Sequence, residues 1–113
     1  MSEARFDHLI HAPTRLSLVA FLAATAWADF KVLKESIELS DSALSKQLST
    51  LEAAGYVEIR KDFVGKRPRT SARLTPAGRT AFERHVLALR EIVSGGRGRQ
   101  AEEALTSADA PGR

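Results

Sequence analysis

Cysteine is missing from this chain of 113 residues, which excludes disulfides, thiolate metal sites and thiol redox sensing. No apolar run approaches the roughly 20 residues that a membrane-spanning helix needs. The N-terminal MSEARFDHL has neither the basic start nor the apolar core of a signal peptide, so a cytoplasmic setting is expected. No glycine-rich phosphate loop follows a strand pattern, and no nucleophile motif of the G-x-S-x-G kind occurs. His8 and His11 are three apart and His85 completes the set of three histidines, but no carboxylate stands at a spacing that completes a metal site. The histidines are read as interface or surface groups. Neither a catalytic residue, a metal nor a cofactor is expected.

What is present suits one compact domain. The apolar fraction of 43% is that of an ordinary globular protein with a buried core. The net charge of +3 is modest but unevenly spread. Residues 1–59 carry five Lys/Arg against eight Asp/Glu. Residues 60–73 then carry Arg60, Lys61, Lys66, Arg67, Arg69 and Arg73 against Asp62 alone, a net of +5 in 14 residues. A focused patch of this kind attracts polyanions.

Phe6, Leu9 and Ile10 are at helical spacing ahead of Pro13, which fits the first turn of a helix because its missing N–H would have no partner there. A long helix is expected from Pro13 to about Ala26, apolar around most of its circumference and therefore central. Trp27-Ala28-Asp29 reads as a brief strand. Asp29 is a good N-cap for a helix carrying Phe30, Leu33 and Ile37, ending near Ile37 with Leu39 packing inward. Ser40 caps the next helix, and Asp41 suits the positive end of its dipole. Two short helices joined tightly, the second amphipathic, make a helix-turn-helix candidate.

On a helical wheel Leu44, Leu48 and Leu51 share a narrow buried sector. Opposite them stand Ser42, Lys46, Ser49 and Ala53, flanked by Ser45 and Thr50. This outer face has short hydroxyl side chains, one lysine and no acid at its centre, whereas an ordinary exposed helix carries Glu/Lys pairs at i,i+4. Such a face can approach base edges in a major groove. Gly55 ends the helix as a C-cap glycine. Tyr56–Arg60 and Thr70–Leu74 read as strands, and the intervening KDFVGKRPR is expected to project as a flexible basic tip, too long for a two-residue hairpin.

Thr75-Pro76 opens a last helix to about Val93, with Phe82, Val86, Leu89 and Val93 in one stripe widened by Ala81, His85 and Ile92. The stripe is longer than a small domain needs, and dimerisation through these residues is expected. From Ser94 the chain is glycine-rich and poor in large apolar residues, so 94–113 is expected to be a disordered tail beyond a 1–93 domain.

The ordered set LSKQL-x-x-LE-x-x-GYVE, VGKRPRT and LT-x-x-GR-x-AF resembles winged helix-turn-helix transcriptional regulators of the MarR/ArsR type, in particular a compact subgroup ending in one C-terminal helix. The resemblance covers roughly residues 6–93. It implies a mainly α fold with a small antiparallel β-wing and an additional C-terminal helix. It further implies a homodimer acting on an inverted repeat in double-stranded DNA, mostly as a repressor. Ser42, Ser45 and Lys46 would then read bases, with Ser40 and the first-turn N–H groups on a phosphate. Ser49 and Thr50 would contact phosphate, and Lys61, Lys66, Arg67 and Arg69 would bring the wing to the DNA. The rival is a winged helix for protein–protein interaction or a regulatory subunit without DNA binding, which calls for an apolar or acidic outer face and a wing without cations. An effector is left open: MarR-type relatives often bind small molecules between their domains, and this chain is short for such a pocket.

Overall fold

The α-helices among the described residues begin at a side-chain cap or, in one case, at a proline. The computed structural model describes residues 3–96; residues 97–113 of the expected tail lie outside the described residues. Asp7 caps the single-turn α1 (His8–His11) by accepting the Ile10 N–H at 3.0 Å. Pro13 stands at the start of α2 (Pro13–Ala23), whose Leu18, Val19 and Leu22 are buried. This helix stops short of the expected Ala26. The Ala24 N–H turns back onto the Phe21 and Leu22 carbonyls, and the chain bends so that β1 (Ala28–Asp29) can join a sheet. Asp29 then caps α3 (Phe30–Ile37) through the Lys31 N–H at 2.8 Å.

A tight connection links α3 to α4 (Asp41–Ala53). Glu38 adopts the left-handed conformation at φ 60°, costly for a non-glycine residue by about 1–2 kcal/mol. In return the Leu39 N–H reaches the Lys34 carbonyl and the helix turns sharply. Lys34 spans the turn to Asp41 at 2.8 Å. The bond to the Asp41 carboxylate raises the lysine pKa. Ser40 accepts the Ala43 N–H at 3.1 Å, as an N-cap serine should. At the far end Gly55 and Tyr56 donate to the Glu52 and Leu51 carbonyls, the paired bonds of a Schellman cap.

Strands β2 (Val57–Val64) and β3 (Arg67–Leu74) pair antiparallel over their whole length, and β1 adds to the other side of β3 at Ala72 and Ser71. The core gathers Ile10, Leu18, Val19, Leu22, Leu33, the three leucines of α4, and Val57, Ala72 and Leu74. Burying each such leucine contributes on the order of 1.5–3 kcal/mol. The leucine face of α4 is therefore what holds this helix on the body.

Helix α5 (Pro76–Arg90) starts against the end of that sheet and runs on as a wider helical turn, Glu91–Gly96, past the expected end at Val93. Thr75 makes the junction. Its hydroxyl donates to the Gly55 carbonyl at 2.6 Å and accepts the Gly78 N–H at 3.0 Å, while its backbone N–H meets the Tyr56 carbonyl. A Cβ at position 78 would fall on that carbonyl. Glycine is required there for close approach, which explains the Thr-x-x-Gly of the sequence.

The N-terminal segment is tied to the same junction. Tyr56 donates its hydroxyl to Asp7 at 2.6 Å, and the Asp7 N–H donates to His85 Nδ1 at 2.9 Å. Burial would raise the Asp7 pKa, but the Tyr56 hydroxyl and the Ile10 and Leu9 N–H groups overcome it and hold the carboxyl below its ordinary value. His85 is fully buried, against the surface or interface position expected for it. Its ring lies 3.2 Å from His11 Nδ1 and is packed edge-on by Phe6. Burial, with His11 adding to it, pushes His85 below the usual histidine value.

Candidate nucleic-acid interface

The face of α4 away from its leucines is open. Ser42, Ser45, Lys46 and Ser49 are exposed, and among the described residues none of their side chains is engaged beyond a 3.4 Å approach of the Ser42 and Ser40 hydroxyls. Thr50 is half-buried and spends its hydroxyl proton on the Lys46 carbonyl at 3.0 Å, leaving oxygen lone pairs rather than a donor for any outside group. Gln47 faces inward and accepts from Arg15 at 3.0 Å, while Arg15 also donates to the Leu9 carbonyl. That bond locks the rotation of α4 against α2, so the serine face has one fixed direction.

The basic segment is an ordered hairpin instead of a flexible loop. Pairing continues without a break to Phe63 opposite Pro68 and Val64 opposite Arg67, leaving Gly65 and Lys66 as a two-residue turn. Gly65 at φ 63°, followed by a residue outside the left-handed region, has the pattern of a type II′ hairpin turn, where glycine holds the first central position. Pro68 is tolerated inside a strand because β1 covers β3 only at Ser71 and Ala72, so its missing N–H faces an unpaired edge. Glycine and proline, read as bends, are here the turn and an edge position of one ribbon.

The six cations of this ribbon divide into two groups. Near the base, Arg73 reaches Glu58 at 2.8 Å directly across the strands. Arg60 and Arg73 place their guanidinium carbons 4.1 and 4.7 Å from the Trp27 ring centroid, within cation–π range. Farther out, Arg69 clasps Asp62 with two hydrogen bonds of 3.1 and 3.0 Å, and Arg60 adds a contact of 3.6 Å. The Arg69 bond pulls the Asp62 pKa below its ordinary value, and the carboxylate raises that of the guanidinium. Lys61, Lys66 and Arg67 are exposed and make no ion pair among the described residues. Of the four wing residues expected at DNA, three are thus free and Arg69 is held by an acid.

Trp27 and the Asp62 clasp were not foreseen from the sequence. The signal for the clasp is strand register, which a reading with a long loop between the strands cannot supply.

On α5 the buried residues are Gly78, His85 and Ala88, with Ala81 and Phe82 packed beside the core. The stripe of Phe82, Val86, Leu89 and Val93 is turned about 100° from that inner face at 100° per residue. Phe82, Val86 and Leu89 are half-buried, and Val93 is 73% exposed. An open cleft of about 680 Å³ lies between the N-terminal segment and α5, lined by Arg5, Phe6, Tyr56, Thr80 and Arg84 among others. Among the described residues no group of histidines and carboxylates is arranged to hold a metal ion.

The model of the family described as winged helix DNA-binding domain matches residues 14–93, the span from α2 through the stripe of α5. The chain belongs to that family. Its α3–α4 pair is the helix-turn-helix and the β2–β3 ribbon is the wing. The chain is similar to an uncharacterised protein of Methanocaldococcus jannaschii, 29% identical over 84 residues, 74% of this chain and 91% of that one. It is also similar to the solved structure of a transcriptional regulator homologue from Pyrococcus horikoshii, with 27% identity and a TM-score of 0.74 over 79% of this chain and 88% of the other. A protein assigned to the MarR family of transcriptional regulators from Enterococcus faecalis shares the fold, with 22% identity and a TM-score of 0.63 over 85% and 83% of the two chains. The chain thus carries a winged helix DNA-binding domain, and its fold is similar to that of a transcriptional regulator homologue. No helix among the described residues is long and apolar enough to cross a membrane.

Proposed function

We propose that this chain is a cytoplasmic transcriptional repressor that binds an inverted repeat in double-stranded DNA as a homodimer. The observation that carries the DNA reading is the pairing of a serine–lysine face on α4, with no acid at its centre, with three cations on the wing, Lys61, Lys66 and Arg67, that make no ion pair among the described residues. Ser42, Ser45 and Lys46 approach base edges in the major groove, where serine accepts more than one base and lysine favours guanine. Ser40 and the first N–H groups of α4 meet a phosphate, with Ser49 on the flanking backbone and Thr50 joining it once its hydroxyl turns away from the Lys46 carbonyl. Lys61, Lys66 and Arg67 follow phosphates or the minor groove, and Arg69 contributes once it exchanges Asp62 for a phosphate.

The flank of α5 supports the two-fold partner. Val86, Leu89, Ile92 and Val93 leave an apolar strip that the chain's own core does not cover, with Ile92 and Val93 among the exposed large hydrophobic residues. A symmetric dimer places its reading helices about one DNA turn apart, which is what an inverted repeat demands.

Recovery of genomic fragments bound by the protein, followed by titration of the enriched duplexes at two salt concentrations, tests the reading. An inverted repeat with half-sites about one turn apart, bound more weakly at high salt, is the expected result. Absence of any salt-sensitive duplex binding would return the chain to the protein–protein alternative. Sedimentation separates the dimer from the DNA claim: Leu89→Glu with Val93→Glu should give a monomer.

A further inference from the structure

The wing carries, beside its cations, a group of apolar side chains that the body of the protein does not use. Phe63 is 69% and Val64 52% exposed, and Pro68 is exposed as well. Phe63 and Pro68 stand opposite one another on the ribbon face that also bears Val57, Ile59, Ala72 and Leu74. Along this row burial falls from Val57 through the half-buried Ile59 to the exposed Lys61. The core has ended, and Phe63 lies about 14 Å beyond Ile59 at roughly 3.4 Å per residue. Val64, next to it, is on the opposite face, so the ribbon is apolar on both sides just behind its turn.

We propose that Phe63, backed by Pro68 and Val64, is a wedge that enters the DNA minor groove, partly unstacks a base step and bends the duplex. This deepens the DNA-binding reading above and rests on it. Charge complementarity selects the occupant. Lys61, Lys66 and Arg67 surround the apolar residues, while Asp62 is clasped by Arg69 and Asp29, at the edge of the same groove, caps the Lys31 N–H, so the tip presents a net positive charge to a polyanion. Reach agrees, because the minor groove is about 7.5 Å deep. Width sharpens the point: at about 6 Å the undistorted groove is too narrow for two strands set roughly 4.8 Å apart with their side chains. Entry therefore requires the groove to open, which is what an inserted apolar side chain achieves by kinking the helix toward the major groove. The two-residue turn and unbroken pairing hold the phenyl ring in place before contact. Wedge insertion favours pyrimidine–purine steps such as TA and CA, the easiest to unstack, at positions where the wing makes no base hydrogen bond.

The test uses the full chain and duplexes enriched by the wild-type protein from a random 30-base-pair pool. End-to-end fluorescence transfer reads the bend, and 2-aminopurine beside the wing-proximal steps reads unstacking. Wild type should shorten the end-to-end distance and brighten one step. Phe63→Ala should abolish the brightening, weaken binding roughly tenfold and erase the preference for flexible steps, while Phe63→Leu keeps most of each. Arg67→Ala should weaken binding and lower the salt dependence while leaving the brightening. Wild-type binding with neither bend nor brightening overturns the wedge alone, as does a Phe63→Ala variant equal to wild type in both. A Phe63→Ala variant that changes self-association and not DNA makes the tip a protein contact and also overturns it. If wild type enriches no duplex, the DNA reading and the wedge fall together.

Discussion

The base and the tip of the same hairpin use the same residue types for opposite ends. At the base, Arg60 and Arg73 are consumed internally, stacked on Trp27 and paired with Glu58 and Asp62. At the tip, Lys66 and Arg67 are exposed and make no ion pair among the described residues. Six cations that look like one basic patch along the chain are therefore half scaffold and half contact surface. What separates them is proximity to an acid or an aromatic ring across the strands, which the ribbon's register sets. The base is anchored further by Thr75, Gly78 and the Asp7–Tyr56 bond, so it points the wing, and the tip can spend its charge on a partner.

Damage to the base should appear as lost stability and damage to the tip as lost binding. The largest effect is expected for Gly78→Ala, whose methyl meets the Tyr56 carbonyl. It should destabilise by roughly 3 kcal/mol, read as the denaturation midpoint. A midpoint equal to the parent's would mean that α5 and the hairpin slide apart freely, and the anchored base would be wrong. Lys66→Ala with Arg67→Ala should leave that midpoint alone. It should cut DNA affinity by an order of magnitude or more near 0.1 M salt and lower the log–log salt slope by about 1.8. An unchanged slope would remove the tip from the contact surface.

Trp27→Ala should cost about 1–2 kcal/mol through lost stacking and packing while the salt slope stays as it was; a reduced slope would show that the base also meets phosphate. His85 gives a smaller, pH-dependent effect. Its folded pKa is depressed by burial, so the unfolded chain binds the extra proton first. Its contribution is fully present above about pH 6.5, the unfolded value, and is lost as pH falls through the lower folded value. Protonation would also turn Nδ1 into a donor facing the Asp7 N–H. The melting temperature should therefore fall between about pH 7 and pH 5, and His85→Gln should flatten that fall; an equal fall in both proteins would assign it elsewhere. The smallest change is expected from Asp62→Asn, which releases Arg69 and should raise the salt slope by no more than about 1. No rise would mean that Arg69 does not reach phosphate.

Much of the fold is legible along the chain because it rests on local chemistry. Asp29, Ser40 and Thr75 each cap the helix that follows them, as side-chain oxygens near unpaired N–H groups do. The leucine row of α4 follows from helical period alone. Local rules failed where distant segments meet. Pro68 read as a bend in a loop, yet pairing runs past it to Val64 and Arg67, and only Gly65 stands in the turn. His85 looked like one more member of the α5 stripe, but the N-terminal segment folds over it through Phe6, Asp7 and His11.

By itself, then, the sequence determined the order of elements, the division of α4 into a leucine face and a serine face, and the concentration of charge in 14 residues. These depend on the spacing of neighbours in one helix or on a simple count. Only the tertiary structure decided which cations remain free, that Trp27 braces the wing, that Phe63 projects beyond the core, and which face of α5 is left open. Each of these turns on strand register or on the packing of residues far apart in the chain, and such contacts exist only once the chain has folded.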